Sequence, residues 1–243
     1  KDKAVPTVVA GIKDFNKVYA TGATADFSTA ANVIVNDQYG REMAIPDGYT
    51  VKAASSAADK VSVGAAASNE FVDLSSAKVV KGEAKGSATI TLKLYNGTTA
   101  VNNSDYTFTA KTVEINDIAS FEIAELKKVY KNNSIDLVVY GVMEDGSKVV
   151  IPYNAALGYY SVTVMGTDYA YDAVDGKLEP ATPTFGDGVT EKDVNFYVTV
   201  NAAKGGVLSG KLVISNVAPY IETMKIKEDV AGGISYIKIS DTS

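Results

Sequence analysis

Apolar and polar residues alternate one for one in stretch after stretch of this chain, and only a β-strand makes use of that pattern. In "SATITLKLY", residues 87–95, Ala88, Ile90, Leu92 and Leu94 stand against Ser87, Thr89, Thr91 and Lys93. In "DVNFYVTVN", residues 193–201, Val194, Phe196, Val198 and Val200 stand against Asn195, Tyr197 and Thr199. Successive side chains of a strand point to opposite faces, so each stretch has one face for a core and one for water; on a helix the same residues would scatter around the circumference. "ANVIVND", "DYTFTAKTVEI", "IDLVVYGVM", "YYSVTVMG", "GKLVISNV" and "ISYIKIS" repeat the pattern, rich in Val, Ile, Thr and Tyr and bounded by turn formers. Asn96-Gly97, Asp145-Gly146 and Asp175-Gly176 are pairs that accept the positive φ of a tight hairpin. We read an all-β chain with about seven short strands per unit, packed as two-sheet sandwiches. The Ala-rich stretch around Ser55–Lys60 leaves room for at most one short helix.

One unit is written twice. "DFNKVYATGA" at 14–23 returns as "ELKKVYKNNS" at 125–134, with Tyr19 and Tyr130 standing 111 residues apart. Ile12 matches Ile123, Phe15 matches Leu126, and Lys17-Val18 matches Lys128-Val129. Downstream, "YGREMAIP" answers "DGSKVVIP" with Pro46 and Pro152 only 106 apart, so the first copy carries five extra residues near "ATGATADFSTAA". A third start shows at "IETMKIKED", where Ile226 follows Ile123 by 103 residues. A period near one hundred fits tandem whole domains, not a solenoid. We expect sandwiches at 1–116 and 117–219, with 220–243 opening a third unit or closing the second with an added strand. "FNKVY" and "LKKVY" are expected to form the first strand of each sandwich.

Composition excludes several classes of function. The net charge of −6 sets the whole surface against phosphate backbones, so no nucleic-acid partner is expected. No apolar run approaches the roughly 20 residues a membrane-spanning helix needs. Cys, His and Trp are all absent, which removes disulfides, thiolate metal sites, Cys nucleophiles and the usual proton shuttle. "GGVLSGKL" at 205–212 approaches a phosphate-binding loop, but Leu212 stands where a hydroxyl must hold magnesium and a strand follows instead of a helix; we read a hairpin. "GDGVTE" at 186–191 lacks the third Gly of a dinucleotide fingerprint and reads as a loop. The 29 acidic residues are scattered through turns, and no pair sits in a segment patterned as a buried cleft, so no enzyme is expected. The same carboxylates suit calcium, which takes hard oxygens from side chains and carbonyls. The places for it are Glu114, Asn116 and Asp117 in the boundary stretch "EINDIASFE", which also holds Glu122, and Asp172 with Asp175 in "YAYDAVDGK". Tyr159, Tyr160, Tyr169 and Tyr171 either present rings for a sugar or an interface, or serve as strand framework. The chain opens "KDKAVP", with neither an initiator Met nor a signal segment, and is expected to be processed or cut from a longer protein.

Two segments carry a family likeness. "AKGSATITLKL" at 84–94 resembles the late-strand signature of bacterial immunoglobulin-like domains, and "VYKNNSIDLVVYGVMEDGSKVVIP" at 129–152 resembles their opening strands and turn. The second unit departs from the pattern, with "EPATPTFGDGVTEKD" where the first has "AKVVKGEAKGSA". The tandem of acidic, Cys-free modules resembles the surface-layer (S-layer) proteins of Gram-positive bacilli. That resemblance implies tandem immunoglobulin-like β-sandwich domains in a secreted structural protein of the bacterial cell surface. Such a protein self-assembles with copies of itself into a two-dimensional lattice, often stiffened by Ca²⁺, and is anchored to the wall through regions outside this chain, without membrane insertion. The alternative it implies is an adhesin, or a spacer of a cell-surface protein that presents a glycan- or protein-binding loop.

Overall fold

The computed structural model describes residues 3–218 and the backbone of two further strands, Lys225–Glu228 and Ser235–Lys238, which pair antiparallel. The rest of the expected third unit, 220–243, lies outside the described residues. No helix among the described residues is long and apolar enough to cross a membrane.

The fold is all-β, and one plan of three sheets occurs twice. In the first repeat one sheet runs in the order Val18–Ala20, Tyr106–Val113, Gly86–Asn96, Tyr49–Ser55, Val72–Asp73. Against it lie Thr24–Phe27, Lys78–Gly82 and Val61–Val63, together with the pair Pro6–Ile12 and Val33–Asp37. The second repeat has Val129–Tyr130, Val207–Ser215, Glu191–Val200 and Tyr160–Val164 in one sheet. Its smaller sheets are Ile135–Asp136, Lys177–Pro180, Tyr169–Asp172 and Ser120–Ile123, Val139–Val142, Lys148–Ile151. These are tandem immunoglobulin-like sandwiches, cut into more and shorter strands than the alternation implied, because the chain changes sheets early in each repeat. Alternation becomes burial directly: along Gly86–Asn96 only Ala88, Ile90, Leu92 and Leu94 are buried, and along Glu191–Val200 only Val194, Phe196, Val198 and Val200.

The recurring Lys-Val-Tyr marks one structural element. Val18–Ala20 runs parallel to Lys111–Val113, and Val129–Tyr130 runs parallel to Ile214–Ser215. In both repeats it lies beside the last strand and closes that edge of the sheet. It is not the first strand, as expected, since Pro6–Ile12 and Ser120–Ile123 precede it. Between the two strands of the first copy the chain crosses from one sheet to the other, with Asp14 at φ 49° and the Asn16 side chain accepting from the Val18 amide at 3.1 Å. Tyr169 supports the same element in the second copy: the ring is 2% exposed and its hydroxyl donates into the carbonyls of Tyr130, Lys131 and Asn133, closest to Asn133 at 2.8 Å. Tyr169→Phe removes that donor without changing the packing, so a loss of about 1 kcal/mol is expected in urea unfolding. An unchanged midpoint would show that the hydroxyl contributes nothing.

The one α-helix among the described residues is not in the Ala-rich stretch. Ser55 ends a strand, and Lys60 and Val61 both donate to the Ala57 carbonyl in a single turn. The helix is Thr29–Asn32, capped by the Ser28 hydroxyl, which accepts from the Ala31 amide at 3.3 Å; the Asn32 side chain reaches back to the Ser28 amide at 3.0 Å. Five residues, 28–32, link strands Thr24–Phe27 and Val33–Asp37, whereas two, 137 and 138, link Ile135–Asp136 and Val139–Val142. The helical passage therefore accounts for three of the five extra residues of the first copy.

By packing, the chain divides into two compact units. One holds residues up to 122 with 138–159 and 200–206; the other holds 123–137, 160–199 and 207 onward. The strand ladders all join residues on the same side of position 116, but the first unit's packing extends past that point into the small sheet built on Ile118, Val139, Val149 and Ile151, each at most 1% exposed.

Candidate functional site

The boundary stretch singled out in the sequence is a built connector inside the first compact unit. Ile115–Asp117 forms one 3₁₀ turn, in which the Asp117 amide donates to the Glu114 carbonyl at 3.0 Å. The Asp117 carboxylate accepts from the Glu114 amide at 3.1 Å through one oxygen and meets Lys85 Nζ at 2.7 Å through the other. Asn116 Oδ1 accepts from the Ala203 amide at 2.9 Å. Glu114 itself is exposed. Beyond the turn, Ile118 is fully buried against Ile151, under Gly141, where an added Cβ would come within 2.6 Å of the Ile118 side chain. At the other end of the first repeat, Gly22 lies at φ +81° with Leu157 so close that a Cβ would meet its Cδ1 at 2.5 Å. Tyr159 bonds Thr21, and burial pushes its hydroxyl pKa up.

This geometry does not suit calcium at Glu114, Asn116 and Asp117. Calcium takes six to eight oxygens, whereas the Asn116 amide oxygen and both Asp117 carboxylate oxygens already accept from protein donors, and one of those donors is an ammonium that carries the positive charge. The pair has an electrostatic signature. The Lys85 hydrogen bond, helped by the Glu114 amide, holds the Asp117 carboxyl below its usual range, and the same bond raises Lys85. A carboxyl depressed on folding contributes stability that is present above its unfolded pKa, about 3.9, and is lost as pH falls through the lower folded value. Asp117→Asn is therefore expected to lower the melting temperature near neutral pH and to converge with wild type in acid, which flattens the acid limb of the profile of melting temperature against pH. An acid limb identical to wild type would show that the pair is not formed. Because Lys85 supplies the charge, melting in calcium and in chelator is expected to coincide for the first unit; a calcium-dependent rise abolished by Asp117→Asn would contradict this.

The second acidic site gathers more than the sequence indicated. Asp172, Asp175 and Glu179 place carboxylate oxygens within 4.8 Å of one another. Glu179 joins through register, since Ala170 pairs with Glu179 and Asp172 with Lys177, which puts Asp172 and Glu179 on one face of the hairpin. Asp172 Oδ1 also accepts from the Val174 amide at 2.7 Å and the Asp175 amide at 3.4 Å, holding the turn. Three carboxylates are half or less of a calcium shell. Of the four tyrosines, Tyr160 and Tyr169 are core residues and Tyr159 and Tyr171 are half-buried, so they do not make an exposed aromatic patch. Of "GGVLSGKL", only Gly205 and Gly206 belong to the turn after Glu191–Val200, where the Val200 amide donates to the Gly206 carbonyl at 2.8 Å; Val207 to Leu212 already lie in the returning strand Val207–Ser215.

No family model and no curated protein matches the chain. Among solved structures it is similar to domains 5–6 of the S-layer protein SbsC, at 19% identity and a TM-score of 0.39 over 89% of this chain and all of that one. The same protein's domains 1–6 match at 19% identity and a TM-score of 0.41, covering 100% of this chain and 27% of that one. Extracellular cadherin domains 3–6 of protocadherin gamma B2 match at 11% identity and a TM-score of 0.29, covering 89% of this chain and 52% of that one.

Proposed function

We propose that this chain is a structural segment of a bacterial surface layer. In this reading it is secreted to the cell surface, assembles with copies of itself into a two-dimensional lattice, is held to the wall through regions outside this chain, and catalyses no reaction. The observation that carries the reading is the connector. The link from one repeat to the next is a capped turn with an ion pair, a side-chain bond to the backbone and a buried Ile118, within one compact unit. A packed turn keeps the surfaces of that compact unit in fixed positions, and repeated head-to-tail contacts need such surfaces in order to extend as a sheet instead of closing. The family likeness of residues 84–94 and 129–152 points the same way.

Electron microscopy of the concentrated protein, with and without calcium, tests the reading. A periodic two-dimensional array supports it. Isolated rods at every concentration would favour the second reading, a spacer or adhesin module, and turnover of any substrate would overturn both.

A further inference from the structure

We infer that neighbouring copies of the chain meet through two unlike sheet faces: the outer face of the second repeat, centred on Tyr197, docks on the threonine face of the first repeat of another copy. The inference rests on the self-assembly proposed above and names the surfaces that would carry it.

Register builds the second repeat's face. The Met165 amide donates to the Asn195 carbonyl at 2.9 Å and the Asn201 amide to the Tyr159 carbonyl at 2.8 Å, so Ser161, Thr163 and Met165 lie alongside Thr199, Tyr197 and Asn195. On the other side Tyr197 pairs with Ser209 and Thr199 with Val207. Strand alternation turns these residues away from the core, into which Val194, Phe196, Val198 and Val200 point. Met165 is 51% exposed, Tyr197 41% and Val207 65%. One exposed apolar side chain calls for no explanation, but three on neighbouring strands of one face, with hydroxyls between them, have the apolar centre and polar surround of an interface. The charges of this face lie at one end, where Asp193 pairs with Lys211 at 3.2 Å and Glu191 with Lys128 at 2.8 Å.

Charge decides what can cover it. Residues 1–116 carry 12 Lys and Arg against 12 Asp and Glu, whereas residues 117–219 carry 8 against 13, a net of −5. Two second repeats brought together would set like charge against like charge within the roughly 8 Å that physiological salt leaves unscreened. A second repeat against a first meets no such repulsion. The first repeat also offers a matching surface. On the outer side of the ladder between Gly86–Asn96 and Tyr106–Val113, Thr89 stands opposite Thr109 and Thr91 opposite Thr107. These four side chains make a flat surface of methyls and hydroxyls without a carboxylate, and exposed Lys111 at its margin is a cation that an acidic repeat complements.

The two faces pack as the layers of a sandwich do, about 10 Å apart. Because they differ, a copy that uses one still has the other free, and contacts propagate instead of stopping at a dimer. Three strands about 4.8 Å apart, with about three outward residues on each, give a few hundred Å² per side, below the roughly 800 Å² of a stable complex. Each contact is therefore weak, and an array depends on its repetition.

Sedimentation of the full chain over a range of concentrations tests the inference. Self-association with a dissociation constant of about 0.1–1 mM is expected. Tyr197→Ala should weaken it about tenfold, as for an aromatic anchor at the centre of a contact. Tyr197→Glu and Thr109→Glu should each abolish it. An equimolar mixture of the two glutamate variants should associate again but stop at a one-to-one pair, since each chain supplies the face that the other has lost. Both positions are exposed, so melting temperatures close to wild type are expected, and pairing in the mixture itself requires both chains to be folded. Association that Thr109→Glu leaves intact would mean that the Tyr197 face meets its own copy or a different surface. Association indifferent to Tyr197→Glu, or a mixture that stays monomeric, would place the contact elsewhere, and each of these results overturns the inference. A two-dimensional array that persists in both glutamate variants would overturn it while leaving the surface-layer reading standing. A wild-type chain that is monomeric at every concentration and forms no array would remove both.

Discussion

Phe27→Ala is expected to destabilise the protein by about 3–5 kcal/mol, the range for emptying a fully buried aromatic position. Phe27 is 0% exposed and is the hub of a ring cluster: the Phe15 ring lies 4.3 Å away at 36°, and the Phe108 ring 6.3 Å away at 78°, edge to face. The cost has two parts, the transfer of the side chain from water and the void left among partners that cannot close it. Strand Thr24–Phe27 belongs to one sheet and Phe108 to the other, so the cavity opens across the sandwich interior, where neither sheet can move in without losing its own ladder. Phe27→Leu, which keeps most of the volume, should lose clearly less. Urea unfolding followed by tyrosine fluorescence reads both variants. A loss below about 1 kcal/mol for the alanine would mean that the cluster is loosely packed. Since whole-domain stability is typically about 5–15 kcal/mol, the expected loss is a large part of the total.

Gly210→Val is the second severe case, with an expected cost of about 3 kcal/mol from overpacking. Gly210 sits directly opposite Phe196 in the ladder between Glu191–Val200 and Val207–Ser215, and a Cβ there would lie 2.1 Å from the ring's Cζ and 2.4 Å from Cε2. Phe196 is fully buried, so its ring has nowhere to retreat. The glycine is needed for the ring that lies across it, which is why it stands in a stretch that mimics a phosphate loop. Combining Gly210→Val with Phe196→Leu should recover much of the loss in thermal melting. No recovery would mean that something other than the ring is the obstacle.

What the sequence disclosed follows from the range over which each interaction acts. Strands such as Gly86–Asn96 were readable because the alternation that encodes them is local and passes unchanged into the burial pattern. The repeat was readable as well, and its two copies occupy matching places. That "KVY" lies parallel to the last strand was not, since Val18 pairs with Lys111, far along the chain, and a three-residue strand carries no register signal of its own. The helix Thr29–Asn32 escaped for the opposite reason: four residues are too few for a 3.6-residue period to show, although Ser28 before it and the five-residue surplus were both visible. At the connector, Asn116 and Asp117 were singled out for their oxygens, but the groups that satisfy those oxygens, Lys85 and the Ala203 amide, arrive only through folding. The tyrosines divide similarly. Alternation gives Tyr169 a face, and only the sheet decides that this face is inward.

The parallel strand beside each closing strand has a mechanical consequence. Val18–Ala20 lies near the start of its repeat and Lys111–Val113 at its end, so tension along the chain, once the leading strand has peeled away, pulls the two lengthwise past each other. Hydrogen bonds loaded in shear must fail together, whereas a hairpin pulled open loses them one at a time. The first repeat holds this pair over three residue positions and the second over two, Val129 and Tyr130, so under a rising load the second module is the one to give way first.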